Sequence, residues 1–158
     1  MSATMAPTGD DLQQIAEQVW ASYLDTDGEK PLVPLPPDKL SRDVVAGVAV
    51  SGAWHGLVLV SCSTAASKEA AAALLGMGAD EVTVGDIDDA LGELANVIGG
   101  NVKSLLPEPC TLGLPEVHNN ADNDPWLEGD EICRFEATWM GEPMEVSVLE
   151  KPQGGETA

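Results

Sequence analysis

DIDDALGELANVIGGNVKSLLP, residues 86–107, is the stretch on which the fold turns. At about 100° per residue, Ile87, Leu91, Leu94, Ile98, Val102 and Leu105 fall on one side of a helical wheel. Asp89, Glu93, Asn96, Gly100 and Lys103 fall on the other. The pattern predicts an amphipathic helix over 87–105, capped by Asp86 and stopped by Pro107 and Pro109. Such a helix has an apolar stripe to bury and needs another layer of structure to bury it against.

The flanking sequence supplies that layer. Upstream, the β-branched run Val44, Val45, Val48, Val50 and the return strand 57–60 enclose the turn GAWHG, residues 52–56, and predict a hairpin. Ser63 or Thr64 then caps an alanine-rich helix over 65–75, which Gly76 and Gly78 end. Downstream, 111–117 reads as a strand broken by Pro115, 119–129 as a polar loop, and 131–140 with 144–149 as a hairpin around Gly141-Glu142-Pro143. Before the first hairpin, Leu12, Ile15, Ala16, Val19 and Trp20 recur at helical spacing behind a cap at Asp10 or Asp11. Pro31, Pro34, Pro36 and Pro37 make 26–38 an extended connector, because proline donates no backbone N–H. Strands grouped in hairpins rather than alternating with helices imply an α+β fold: an antiparallel sheet with long helices packed on one face. The expected organisation is a flexible N-terminus over 1–10, a single domain over 11–150, and a flexible tail over 151–158.

Charge narrows the function. Against 27 Asp and Glu stand 7 Lys and Arg, a formal net charge of −20. Long-range repulsion disfavours nucleic acid and anionic membrane surfaces as partners, and the field favours a basic protein surface. Solubility, or the acidic proteome of a salt-adapted source, also accounts for such an excess. Cys62, Cys110 and Cys133 are odd in number and widely spaced, which reads as buried free thiols in a reducing cytoplasm rather than a disulfide framework or metal site. His55 and His118 lack ligand spacing. Residues 1–10 have no Lys, Arg or apolar run, unlike a signal peptide, and no stretch is apolar enough to span a bilayer, so a cytoplasmic location is expected.

Two features of the polar stripe on 87–105 stand out. Gly92, Gly99 and Gly100 sit inside a helix, where each glycine costs about 1 kcal/mol relative to alanine, and glycine lets another backbone or a partner surface come close. Glu93 and Asn96 stand at i and i+3, which places their Cβ atoms about 5–6 Å apart on one patch. On spacing alone, a solvated polar face with incidental glycines fits as well.

The run from Asp89 through Glu93 and Asn96 to Gly99-Gly100-Asn101 and Lys103 resembles the signature of the CheX/CheC/FliY chemotaxis phosphatases. In that signature Asp or Ser precedes Glu by four residues, and Asn follows Glu by three. The surrounding run 90–104 and the upstream Gly52-x-Trp54-x-Gly56 turn resemble the CheX-type version. The resemblance implies a phosphatase that hydrolyses the phospho-aspartate of a CheY-like receiver, with Asn96 orienting the attacking water and Glu93 bonding the receiver's lysine. It also implies that Asp89, Gly92, Gly99, Gly100 and Lys103 form the contact surface. The receiver brings its own Mg²⁺, so the chain needs no cofactor and no metal site. CheC-type members carry two such motifs; here Glu17 is followed three residues on by Trp20, so the second is missing. One motif per chain is similar to the CheX type, and a homodimer is implied. A module that binds a receiver or a flagellar-switch component without hydrolysis is the alternative, and a purely structural domain a more distant one.

Two other motifs are set aside. Asn120-x-Asp122-x-Asp124 with Glu131 imitates a calcium loop, but Pro125 stands where glycine is required. Cys62 has no histidine or basic residue near it in sequence to activate it, and reads as a core thiol at a strand end.

Overall fold

The computed structural model describes residues 6–39 and 41–152. The chain runs α1 (Gly9–Val19), β1 (Leu32–Val33), β2 (Val44–Gly52), β3 (Gly56–Cys62), α2 (Thr64–Leu75), α3 (Val84–Lys103), β4 (Cys110–Leu112), β5 (Glu116–Asn119), β6 (Asp130–Trp139) and β7 (Glu142–Glu150). The strands form one antiparallel sheet in the order β1-β6-β7-β3-β2-β4, with β5 also paired to β2. The helices pack on one face of it, α3 over β2 and β3 and α1 over β6. This is the expected α+β arrangement.

Period-two alternation sorts the strand residues by face. Val44, Ala46, Val48 and Val50 of β2, Val58 and Val60 of β3, and Val146 and Val148 of β7 meet Leu12, Ala16, Leu91, Leu94 and Ile98 in the main core. Each buried Val, Leu or Ile contributes about 1.5–3 kcal/mol. A π-helical turn, Trp20–Leu24, extends α1 and brings Trp20 edge-on to Trp139, with ring centroids 5.8 Å apart. The indole N–H of Trp139 donates to the Lys30 carbonyl at 2.7 Å, which satisfies its polar edge in the core.

Several boundaries depart from expectation, each for a local reason. Thr8, not Asp10 or Asp11, caps α1: its hydroxyl accepts from the Asp11 N–H at 3.2 Å, and Asp11 accepts from the Thr8 N–H at 2.9 Å. Residues 8–10 are therefore structured; residues 1–5 lie outside the described part. The same box starts α3 three residues early. Thr83 caps it and Asp86 occupies the third helical position, because a threonine hydroxyl and an acid three residues on satisfy two free amides reciprocally. α3 ends at Lys103, so Leu105 lies beyond it and is 36% exposed, while Leu106 is buried. Leu32 and Val33 in the proline-rich connector form a short strand against Trp139 and Thr138. The 111–117 segment is two strands, β4 pairing with the end of β2 and β5 with its beginning. In the last hairpin Trp139 pairs with Glu142, so the turn is Met140-Gly141, both at positive φ. Lys151 is not loose: its N–H donates to the His55 carbonyl at 2.9 Å and its ammonium to the Trp126 carbonyl at 2.7 Å. Residues 153–158 lie outside the described part. Cys62 and Cys110 are buried as expected, but Cys133 is only half-buried. Burial, reinforced by nearby Asp43, pushes the Cys62 thiol up to about 12, which makes it a poor nucleophile.

The polar loop over 119–129 covers the second face of the sheet. Ala121, Trp126 and Leu127 pack on Val45, Leu57, Leu59 and Leu149. His118, on β5, locks this cover down: its ring stacks on Trp126 with centroids 3.8 Å apart, Nδ1 meets Asp124 at 2.5 Å and Nε2 meets Glu116 at 3.0 Å. Partial burial opposes the imidazolium, but the hydrogen bonds to both carboxylates outweigh it, so the His118 pKa is raised. A histidine raised above its unfolded value of about 6.5 adds stability that is fully present below that pH and is lost as pH rises through the folded pKa. Thermal midpoints measured from about pH 6 to pH 9 are expected to fall more for the wild type than for His118→Gln. Parallel curves for the two proteins would contradict the clamp.

Candidate functional site: an exposed ridge on the third helix

α3 buries Ile87, Leu91, Leu94, Ile98 and Val102, all at most 7% exposed. That fixes the rotation of the helix and turns Asp88, Asp89, Glu93, Asn96 and Gly100 to solvent. α1 and α2 both pack against α3, so the ridge is carried on a rigid element. Among the described residues, the side chains of Asp89, Glu93 and Asn96 make no hydrogen bond or ion pair within the chain. Asn101 shows the contrast: its amide donates to the Val97 carbonyl at 2.9 Å and is thereby spent on its own helix.

The structure divides the seven expected site residues. Asp89, Gly92 and Glu93 border an open groove of ≈ 320 Å³, together with Asp88, Pro115 and Val117. Gly100 and Lys103 border a second groove of ≈ 450 Å³ with Ser104, Glu108, Pro109 and Cys110. Asn96 stands on the exposed ridge between those two sets in sequence.

Two of the three glycines are not surface residues. Gly99 is buried, and a Cβ placed on it would come within 2.4 Å of a Val48 methyl; it lets α3 lie close on β2. Gly92 is buried under Pro115, whose ring carbons would stand 3.5 and 3.6 Å from an added Cβ. The close approach it permits is by the chain's own loop. Only Gly100 is open, with nothing within 4 Å of an added Cβ. Of the seven expected site residues, Asp89, Glu93, Asn96 and Gly100 are therefore exposed, Lys103 is half-buried, and Gly92 and Gly99 are buried. Pro115 and Val117, which wall the first groove, were not anticipated. Nothing in the sequence around 86–107 announces them, since their position follows from the pairing of β5 with β2.

A carboxylate and a carboxamide on an exposed ridge beside an open groove do not enclose a small molecule, which binds in concave, largely buried sites. They can complete a pocket that belongs to another protein. A cleft of ≈ 640 Å³ lies elsewhere, between the proline-rich connector and the β6–β7 turn. Several of its polar groups are engaged within the chain: Ser63 donates to Glu142 at 2.6 Å, and Asp43 accepts from the Thr64 N–H at 3.3 Å. Among the described residues no group of three or more His, Cys, Asp or Glu could hold a metal ion, and no helix is long and apolar enough to cross a membrane.

Comparison with known proteins bears on this ridge. The profile of a family described as "Chemotaxis phosphatase CheX" matches residues 44–128, which include all of α3. No curated protein matches the sequence. Among solved structures, the chain is similar to the chemotaxis protein CheX from Vibrio vulnificus (17% identity, 96% of this chain and 100% of that one, TM-score 0.71). It is also similar to a chain of the CheX–CheY–BeF₃–Mg²⁺ complex from Borrelia burgdorferi (17% identity, 94% and 100%, TM-score 0.70), and to a CheX from Desulfovibrio desulfuricans (19% identity, 90% and 98%, TM-score 0.65). At these identities the structural likeness establishes the fold.

Proposed function

Because the chain belongs to the CheX family of chemotaxis phosphatases, we propose that it hydrolyses the phospho-aspartate of a CheY-like receiver, with Asn96 and Glu93 inserted into the receiver's own active site. The observation that carries this reading is the pair itself: two polar heads one helical turn apart, outward-facing on a rigid helix and unspent within the chain. That the similar Borrelia burgdorferi protein is seen with CheY, BeF₃ and Mg²⁺ supports a receiver as the partner class.

In this mechanism the Asn96 carboxamide holds a water in line with phosphorus. The water oxygen bonds to phosphorus as the bond to the aspartyl oxygen breaks, leaving a free receiver carboxylate and inorganic phosphate. Positioning is most of what phosphoryl transfer asks of a protein. A neutral amide suits the task, since a carboxylate there would repel the phosphoryl oxygens. Glu93 accepts a charge-assisted hydrogen bond from the receiver's lysine and fixes the docked pose. The receiver supplies the Mg²⁺, and this chain supplies no metal. Asp89, Gly100 and Lys103 extend the contact. The homodimer that the resemblance implies is part of the same proposal, and sedimentation equilibrium tests it: twice the chain mass is expected.

The test is phosphate release from a phosphorylated, Mg²⁺-loaded receiver after addition of substoichiometric protein. Multiple turnovers support the reading; binding without any change in phospho-aspartate lifetime would make the protein a receiver-binding module instead. Glu93→Gln keeps the shape and removes the charge. It is expected to weaken receiver binding about tenfold, the equivalent of one charge-assisted bond, as measured by calorimetric titration.

A further inference from the structure

We propose that Leu114 is the apolar anchor with which this protein holds its receiver, an inference that rests on the function proposed above. Leu114 is 87% exposed, more than any other large hydrophobic residue among those described. Its backbone is held on both sides. Leu112 pairs with Val50, the Gly113 N–H donates to the Ala49 carbonyl at 2.8 Å, and Glu116 pairs with Gly47. Pro115 lies against Gly92 of α3. A leucine is thus presented on a stiff lip whose next residue forms the wall of the groove that Asp89 and Glu93 border.

Three consequences follow for what covers it. A leucine displayed on pinned backbone loses little conformational entropy when it is buried, so its apolar area converts efficiently into affinity. Pro115, the residue after Leu114, borders the same groove as Glu93, so an interface of ordinary size centred on Glu93, about 800 Å² on each partner, extends across Pro115 to Leu114. The carboxylates of Asp88, Asp89 and Glu93 beside the lip require that surface to be basic around an apolar spot. The partner that meets these conditions is the receiver already engaged by Asn96. Leu114 sets how tightly the receiver is held, and the ridge sets what happens to its phosphate.

The experiment compares wild type, Leu114→Ser and Met140→Asn. Met140 is a half-exposed residue at the tip of the β6–β7 turn, several strands from the lip. Each protein is titrated with a Mg²⁺- and beryllofluoride-loaded receiver and then assayed for phosphate release. Leu114→Ser is expected to raise both Kd and the half-saturating receiver concentration about tenfold, with kcat and the thermal midpoint unchanged and Met140→Asn like the wild type. An active wild type whose affinity survives Leu114→Ser would overturn the anchor and leave the phosphatase reading standing. So would an equal loss in Met140→Asn. A wild type that neither binds nor hydrolyses would overturn both.

Discussion

Asn96→Ala is expected to lower kcat for phosphate release by about a hundredfold or more, the usual cost of losing the alignment of a reacting group, while receiver affinity changes little. The carboxamide contributes to the geometry of the attacking water, which matters in the transition state and only slightly in the docked complex, so the loss belongs in kcat and not in KM. The fold should not suffer. Asn96 is exposed and makes no side-chain hydrogen bond among the described residues, and alanine is the better helix former. Asn96→Asp refines the result: it keeps the size but places a carboxylate against phosphoryl oxygens, and should be no more active than the alanine variant. An undiminished rate in Asn96→Ala would remove the residue from the chemistry.

The second large effect concerns stability. Gly99→Ala is expected to destabilise the protein by about 2–3 kcal/mol, whereas Gly100→Ala should stabilise it by up to about 1 kcal/mol. The new methyl at 99 would sit 2.4 Å from a methyl of Val48. Val48 is a fully buried, β-branched residue on a central strand, so neither partner can move cheaply. At 100 the methyl enters open space and only the glycine's conformational cost is relieved. For a chain of this size, the loss at 99 lowers the thermal midpoint by roughly 5–10 °C. Adjacent glycines with effects of opposite sign would establish which face of α3 each occupies. Equal effects would contradict the packing of α3 on β2.

The contrast between those two residues shows what could be read in advance. The apolar period of Ile87, Leu91, Leu94, Ile98 and Val102 was enough to orient α3 and to place Glu93 and Asn96 outward, because burial of a stripe is a local property of one helix. The two valine-rich strands around GAWHG were legible for the same reason. Gly99 was not, because a glycine that admits a partner and one that admits the chain's own strand have the same side chain; the difference lies in Val48, far away in sequence. Pro115 over Gly92 and the splitting of 111–117 into β4 and β5 depend on pairing with β2, which carries no local signal. The helix starts are legible too: Thr8-x-x-Asp11 and Thr83-x-x-Asp86 are capping boxes in plain sequence, in which the threonine and not the aspartate is the cap. Trp126 and Leu127, the two large apolar residues in an otherwise polar segment, were the sign that 119–129 covers apolar surface.

The central claim is that the α3 ridge enters another protein's active site, and a crystal structure of this protein with a Mg²⁺- and beryllofluoride-loaded receiver tests it most directly. Insertion predicts the Asn96 carboxamide within one water of the beryllofluoride and the Glu93 carboxylate at hydrogen-bonding distance, about 3 Å, from a receiver lysine. A complex in which Glu93 and Asn96 still face solvent, with the receiver seated elsewhere, would contradict it.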